Sequence, residues 1–165
     1  MKPSALSESS TPSVLGTSNV TAGYFLLRLA LGINLLGHGL VRIGNPAAFA
    51  DTLVQAFSNT WLPSPLVRLF ALVLPFIETA LGVLLTLGLL TRTALFTGGL
   101  VMVSLIFGTA LRSDWETLGL QMIYIALYSL LLASARFNRI SLDAWWLKAP
   151  SIPEVTSTRS PEPAR

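Results

Sequence analysis

Four long apolar runs dominate the pattern of hydrophobic and polar positions along the chain. They span about 21–41, 69–91, 93–111 and 117–135. Each run approaches the roughly 20 residues that a helix needs to cross about 30 Å of hydrocarbon. The runs are continuously apolar, whereas the strands of a membrane barrel alternate between apolar and polar positions. The pattern therefore predicts an all-α fold, an integral membrane four-helix bundle.

The segments between the runs predict how the helices are connected. The second and third runs are separated only at Arg92, which indicates a tight antiparallel hairpin. The first loop is longer, and within 45–57 the residues Phe49, Leu53 and Phe57 recur at four-residue spacing. That spacing places them on one face of a short amphipathic helix in the membrane interface. A plain ordered loop is the alternative.

The two ends of the chain differ in composition from the central part. Residues 1–19 and 149–165 are rich in Ser, Thr and Pro and poor in large apolar side chains. Both segments are predicted to be disordered tails that flank a helical domain over 20–148. The basic start is not followed directly by an apolar core, so a signal peptide is not expected.

Composition supports a membrane location and excludes several kinds of chemistry. Of the 165 residues, 52% are hydrophobic and 12% are charged, with a mean hydropathy of +0.65. Soluble domains carry about 25% charged residues. The deficit is explained if much of the surface faces lipid. The absence of cysteine excludes thiol redox chemistry, iron–sulfur clusters and cysteine zinc sites. With a single histidine, a bis-histidine haem would need a second chain, and no metal or haem is expected.

The basic residues predict the orientation and exclude one class of partner. They are scattered singly along the chain, so no nucleic-acid surface is expected. One side of the bundle holds the N-terminus, Arg92, Arg136, Arg139 and Lys148. The other side holds Arg42, Arg68 and Arg112, diluted by Asp51, Asp114 and Glu116. The positive-inside rule then places both termini in the cytoplasm, with the protein in the cell (inner) membrane.

Two ionisable residues, Arg28 and Glu78, lie well within the runs. Their side chains are predicted to reach each other across the first two membrane helices. Such a pair is either a structural ion pair that neutralises both charges or part of a proton-handling or ligand-binding site. Gln121, Tyr124 and Tyr128 share a broad face of the last helix. Tyr124 and Tyr128 lie deep enough to donate hydrogen bonds inside the bundle.

His38, the only histidine, lies between two glycines on the same helix face as Arg28 and Arg42. It is about 15 Å along the helix from Arg28, near the outer boundary of the membrane. An imidazole at that depth is either an interfacial anchor or part of a ligand site at the membrane surface.

Several segments resemble the DoxX family of small four-helix membrane proteins. They read "RLALGINLLGHGLVRI", "PFIETALGVLLTLGLLTRTA", "DWETLGLQ" and "RISLDAWW". The resemblance covers nearly all of residues 24–146 and leaves out the tails. The elements that carry it are Arg28, Gly32, His38–Gly39, Arg42, Glu78, Gly82, Gly88–Leu89, Thr91–Arg92, Trp115–Glu116 and Ser141–Leu142–Asp143.

The resemblance implies a redox-linked role. The DoxX family and its DoxD relatives are associated with thiosulfate:quinone oxidoreductase, as the membrane subunit beside a second polypeptide. Other members are linked to oxidoreductase complexes of oxidative-stress defence. The expected partners are therefore the lipid bilayer, a second oxidoreductase subunit and further copies of the same chain, and the expected cofactor is a quinone.

Candidate site residues follow from this role. We expect His38 and Glu78 to take part in catalysis, with Glu78 exchanging a proton. The quinone-binding candidates are Arg28, His38, Arg42 and Tyr124. Two other functions remain open, namely a non-catalytic membrane scaffold that recruits a soluble redox enzyme, and a carrier of small solutes or lipids.

Overall fold

The computed structural model describes residues 14–146, with side chains from residue 18. The helices are α1 (Val14–Ile43), α2 (Pro46–Ala56), α3 (Ser64–Leu87), α4 (Thr91–Leu111), α5 (Trp115–Ala133) and α6 (Leu142–Trp146), with a 3-10 turn at Ala135–Phe137. No strand occurs in this range, which confirms the all-α prediction. Residues 1–13 and 147–165, which hold most of the predicted N-terminal tail, all of the predicted C-terminal tail and Lys148, lie outside the described residues.

The four predicted membrane helices are confirmed as α1, α3, α4 and α5. Each contains a stretch long and apolar enough to cross a membrane, with mean hydropathies of 1.4 to 2.1. The helices extend beyond some of the apolar runs. Helix α1 begins at Val14, inside the segment predicted as a tail, and α3 begins at Ser64. A proline at position 65 suits the first turn of α3, because its missing N–H has no partner there in any case.

Helices α1 and α3 pack backbone against backbone. A Cβ atom built on Gly82 would lie 2.5 Å from the Leu36 nitrogen, and one on Gly32 would lie 2.7 Å from the Thr86 nitrogen. Only glycine permits so close an approach, and small residues drive helix association in lipid in this way. The α1–α3 pair is also the most extensive contact between described helices.

Buried apolar side chains concentrate in one half of the bundle. The core cluster comprises Tyr24, Leu31, Leu35, Leu81, Leu85, Ala94, Leu95, Tyr128 and Leu131. Most of these residues lie toward the end that carries the α3–α4 turn (88–90), which we call the turn end. The opposite end carries α2 and is called the α2 end. Helices α1 and α5 touch at few positions, and the packing leaves internal space between the helices.

The segment after α5 closes the turn end. Asp143 accepts hydrogen bonds from the backbone N–H groups of Leu90 (2.7 Å) and Thr91 (2.8 Å), and thereby caps α4. Its own N–H donates to the carbonyl oxygen of Gly88, the left-handed residue that ends α3. Burial raises the pKa of Asp143, but the hydrogen bonds from Thr91 and Leu90 and the charge of Arg28 outweigh it, so the pKa lies below its ordinary value.

The fold separates the basic residues as the sequence predicted. Arg92, Arg136 and Arg139 lie at the turn end, while Arg42, Arg68 and Arg112 lie at the α2 end. The assignment of the turn end to the cytoplasm stays a prediction from these charges.

Candidate functional site

The amphipathic helix predicted in the first loop is present as α2. Asn45 caps it by accepting a hydrogen bond from the Ala48 N–H (3.1 Å), and Pro46 occupies its first turn. The face formed by Phe49, Leu53 and Phe57 lines an internal cavity. Its location in the membrane interface stays a prediction.

A polar cavity of about 340 Å³ lies between α1, α3, α4 and α5. Most of its lining is apolar, but polar side chains converge on it from three helices. These are Asn34, His38, Arg42, Glu78, Thr117, Gln121, Tyr124 and Tyr128. Four of the five predicted site residues, all except Arg28, therefore lie around one space.

Glu78 pairs with Arg42 across the α1–α3 contact. The Arg42 Nη1 atom donates to both carboxylate oxygens of Glu78, at 2.5 and 2.6 Å. The Glu78 side chain is 4% exposed and that of Arg42 is 27% exposed. A buried carboxylate thus meets its counterion at the wall of the polar cavity.

The predicted pair between Arg28 and Glu78 is wrong, and the register of the two helices explains why. Gly32 lies against Thr86, and Gly39 lies against Thr79. This antiparallel register places Glu78 about level with the Gly39–Arg42 segment. Arg28 then lies level with the α3–α4 turn, more than two helical turns away from Glu78 along the pair.

Arg28 instead binds backbone carbonyl groups at the turn end. It is 1% exposed. Its Nη1 atom donates to the carbonyl oxygens of Leu85 and Thr86, and its Nη2 atom donates to that of Ile140 (2.9 Å). The last carbonyl groups of a helix lack partners within the helix and carry partial negative charge. Arg28 therefore caps α3 and fastens the segment before α6, and it does not line the polar cavity.

His38 and Tyr124 face the polar cavity across the gap between α1 and α5. His38 is exposed on the outer surface of α1 while also lining the cavity, whereas Tyr124 is partly buried. Leu120, on the α5 side of the gap, is 57% exposed. The cavity is therefore reached sideways, through a gap between two membrane-spanning helices.

Four polar residues that were left out of the predicted site also line this cavity, namely Asn34, Thr117, Gln121 and Tyr128. The Oε1 atom of Gln121 is buried and has no hydrogen-bond partner among the described residues. Tyr128 is 3% exposed and packs on Gly98, where a Cβ atom would lie 2.6 Å from its ring. The sequence feature that pointed to Gln121 and Tyr128 was the helix face that they share with Tyr124. It could not show which of the three reaches a ligand.

A second cavity of about 420 Å³ lies beneath α2. Aromatic and aliphatic side chains of α2, α3 and α4 form most of its lining. We call it the apolar cavity. It shares Arg42, Leu105, Thr117 and Gln121 with the polar cavity, so the two spaces adjoin at the α2 end.

Comparison with protein families agrees with the resemblance seen in the sequence. The DoxX family model matches residues 23–110. This range contains α2, α3 and most of α1 and α4, and with them His38, Arg42 and Glu78, but not α5. No curated protein and no solved structure matches the chain. Since the family model covers more than half of the 165 residues, the chain belongs to the DoxX family.

Proposed function

We propose that this membrane protein is the membrane subunit of a quinone-linked oxidoreductase and binds the quinone head in the polar cavity. The observation that carries the proposal is the convergence of His38, Arg42, Glu78 and Tyr124 on one space within the membrane-spanning helices. The electron donor in this proposal is a second oxidoreductase subunit.

The size and the access of the polar cavity suit a small ring dissolved in the membrane. Its volume of about 340 Å³ lies within the range of roughly 300–1,000 Å³ that is typical of small-molecule sites. A mostly apolar lining with a few polar groups is also typical of such sites. The gap beside His38 and Leu120 opens toward the surrounding lipid, so a hydrophobic ligand enters without crossing water.

The polar side chains supply both donors and acceptors. His38 and Tyr124 donate to ring carbonyl oxygens, and the Arg42 guanidinium favours the negative charge that these oxygens gain on reduction. The unpartnered Gln121 Oε1 accepts a hydrogen bond from a ring hydroxyl. A bound quinone supplies an acceptor for two electrons and two protons.

Glu78 has a different role here from the free proton donor expected from the sequence. Both of its oxygens are held by Arg42. Within the proposal Glu78 therefore positions the guanidinium at the cavity wall. Arg28 is left out of the proposed site, because it does not line the polar cavity and its Nη1 and Nη2 atoms donate to backbone carbonyl oxygens at the turn end.

The test is direct binding of decylubiquinone to the purified full chain in lipid nanodiscs. His38→Ala and Tyr124→Phe each remove a donor, and we expect each to weaken binding by about fivefold to tenfold. Thermal stability should change little for His38→Ala, because this residue is exposed. Leu40→Ala is the matched control, since Leu40 is 54% exposed on the same helix and lines neither cavity.

The binding result decides between the functions. If His38→Ala and Tyr124→Phe both bind decylubiquinone as tightly as the unaltered chain, the polar cavity is not the quinone site. If the unaltered chain does not bind the quinone at all, the scaffold function takes precedence.

A further inference from the structure

The apolar cavity adjoins the polar cavity, and the proposed quinone head does not occupy it. We propose that it binds the hydrocarbon chain of the same ligand whose head lies in the polar cavity. The substrate is then an amphiphile with a polar ring and a long chain, and not a small water-soluble ring compound. The identity of the head rests on the function proposed above, whereas the place of the chain rests on the apolar cavity itself.

The lining of the apolar cavity matches a hydrocarbon chain. Phe49, Leu53 and Phe57 form its α2 wall. The α3 wall consists of Leu66, Val67, Phe70 and Leu74, together with Leu62 of the preceding loop. Three of its six polar lining residues, Arg42, Thr117 and Gln121, lie where this cavity meets the polar one, and the other three are Ser104, Thr109 and Arg112. A ligand that bridges the two spaces would pass from polar to apolar surroundings at that boundary.

Three contacts hold α2 over the apolar cavity. The Arg42 guanidinium lies over the Phe49 ring, 4.7 Å from its centroid, and that of Arg112 lies over the Phe57 ring at 5.7 Å. Asp51 pairs with Arg68 of α3 at 2.6 Å. Arg42 also holds Glu78, so one side chain joins the roof of the apolar cavity to the wall of the polar cavity.

The apolar cavity reaches the outside of the bundle between α3 and α4. Leu66 and Phe107 both line it and are 56% and 53% exposed, respectively. Gly108 helps to keep the space open beside α2, since a Cβ atom there would lie 3.0 Å from the Phe57 ring. A chain in this space can therefore continue into the bilayer on the side of the bundle opposite the α1–α5 gap.

The shape of the apolar cavity, rather than its hydrophobicity, would select ligands that carry a hydrocarbon chain. Lipid tails are as apolar as the cavity lining, so a chain gains little hydrophobic free energy by moving from the bilayer into the protein. A side chain that obstructs the path, in contrast, must expel the chain or distort the packing. Blocking the cavity should therefore affect long-chain ligands and spare short ones.

Ser104→Phe tests this expectation, with Val103→Phe as the matched control. Ser104 lines the apolar cavity and its hydroxyl donates only within α4, to the Val101 carbonyl oxygen. Val103 is the adjacent residue, is 53% exposed and lines neither cavity. Ser104→Leu provides a smaller obstruction in case the phenylalanine variant fails to fold.

The probes are ubiquinone-1, with one isoprene unit, and decylubiquinone, measured with the full chain in nanodiscs of one composition. Each probe is compared between variants, so its partitioning into the bilayer cancels. We expect Ser104→Phe to weaken decylubiquinone binding by about tenfold and ubiquinone-1 binding by less than about twofold. Val103→Phe should change neither, and Ser104→Leu should give an intermediate loss for decylubiquinone.

Each other outcome has a definite meaning. Equal losses of affinity for both probes, or no loss for either, would overturn the assignment of the ligand's hydrocarbon chain to this cavity. The proposed quinone function would remain intact. If the unaltered chain binds neither quinone, photoreactive stearic acid is the third probe. If stearic acid labels the residues that line the apolar cavity and Ser104→Phe abolishes this labelling, the hydrocarbon-chain site is supported. The proposal that the head is a quinone is then rejected. Absence of that labelling would reject both.

Discussion

The buried pair of Arg42 and Glu78 gives the sharpest test of the described packing. Arg42→Met leaves a carboxylate that is 4% exposed without its counterion, and breaking a buried pair in this way costs about 3–5 kcal/mol. Glu78→Gln should cost less, about 1–3 kcal/mol. The Arg42 side chain is 27% exposed and can turn its guanidinium toward the membrane surface. The double variant should be less destabilised than the sum, with a coupling of about 1–3 kcal/mol.

The assay is reversible unfolding of the detergent-solubilised chain, followed by helical circular dichroism, for all four members of the cycle. The matched control is the same cycle on Asp51 and Arg68. That pair has a nearly equal distance of 2.6 Å, but its side chains are 64% and 49% exposed. Exposed pairs contribute about 1 kcal/mol or less. The coupling should therefore be clearly larger for the buried pair than for the exposed one.

Two results would refute this reasoning. Equal coupling energies in the two cycles would show that burial does not strengthen the Arg42–Glu78 pair. In a further cycle, the changes in unfolding free energy caused by Arg28→Met and Glu78→Gln should be additive within about 0.5 kcal/mol, because the two residues lie far apart in the helix register. Strong coupling between Arg28 and Glu78 would contradict the α1–α3 register itself.

Three further predictions concern packing, pH and topology. Gly82→Ala should lower the thermal midpoint, since its Cβ atom would lie 2.5 Å from the α1 backbone, whereas Gly37→Ala should not, because a Cβ atom there meets no described atom within 4 Å. The lowered pKa of Asp143 means that its contribution to stability is present above about pH 4 and is lost as the pH falls through the folded-state pKa. Thermal unfolding of Asp143→Asn should therefore depend less on pH in that window, and an unchanged dependence would contradict the capping role. Reporter fusions after Lys148 and within 45–65 should lie on opposite sides of the membrane, with the former cytoplasmic; fusions on the same side would reject the topology.

Local patterns in the sequence determined which segments are helical. Apolar runs of membrane length identified α1, α3, α4 and α5, because a backbone in hydrocarbon must satisfy its hydrogen bonds within each segment. The four-residue spacing of Phe49, Leu53 and Phe57 identified α2, which begins where the Asn45 cap and Pro46 start it. These features depend only on neighbouring residues along the chain, so they can be recognised from the sequence without knowledge of tertiary contacts.

The partners of the buried charges were decided only by the tertiary structure. Arg28 and Glu78 are both buried, as the depth of each in its apolar run implied, but depth does not give the register between two helices. That register depends on where Gly32, Gly39 and Gly82 let the backbones meet. As a result, Glu78 binds Arg42 and Arg28 caps α3 at the other end of the contact. The cavities likewise lie between side chains of several helices, so they depend on the packing of residues distant in sequence rather than on the pattern along any one helix.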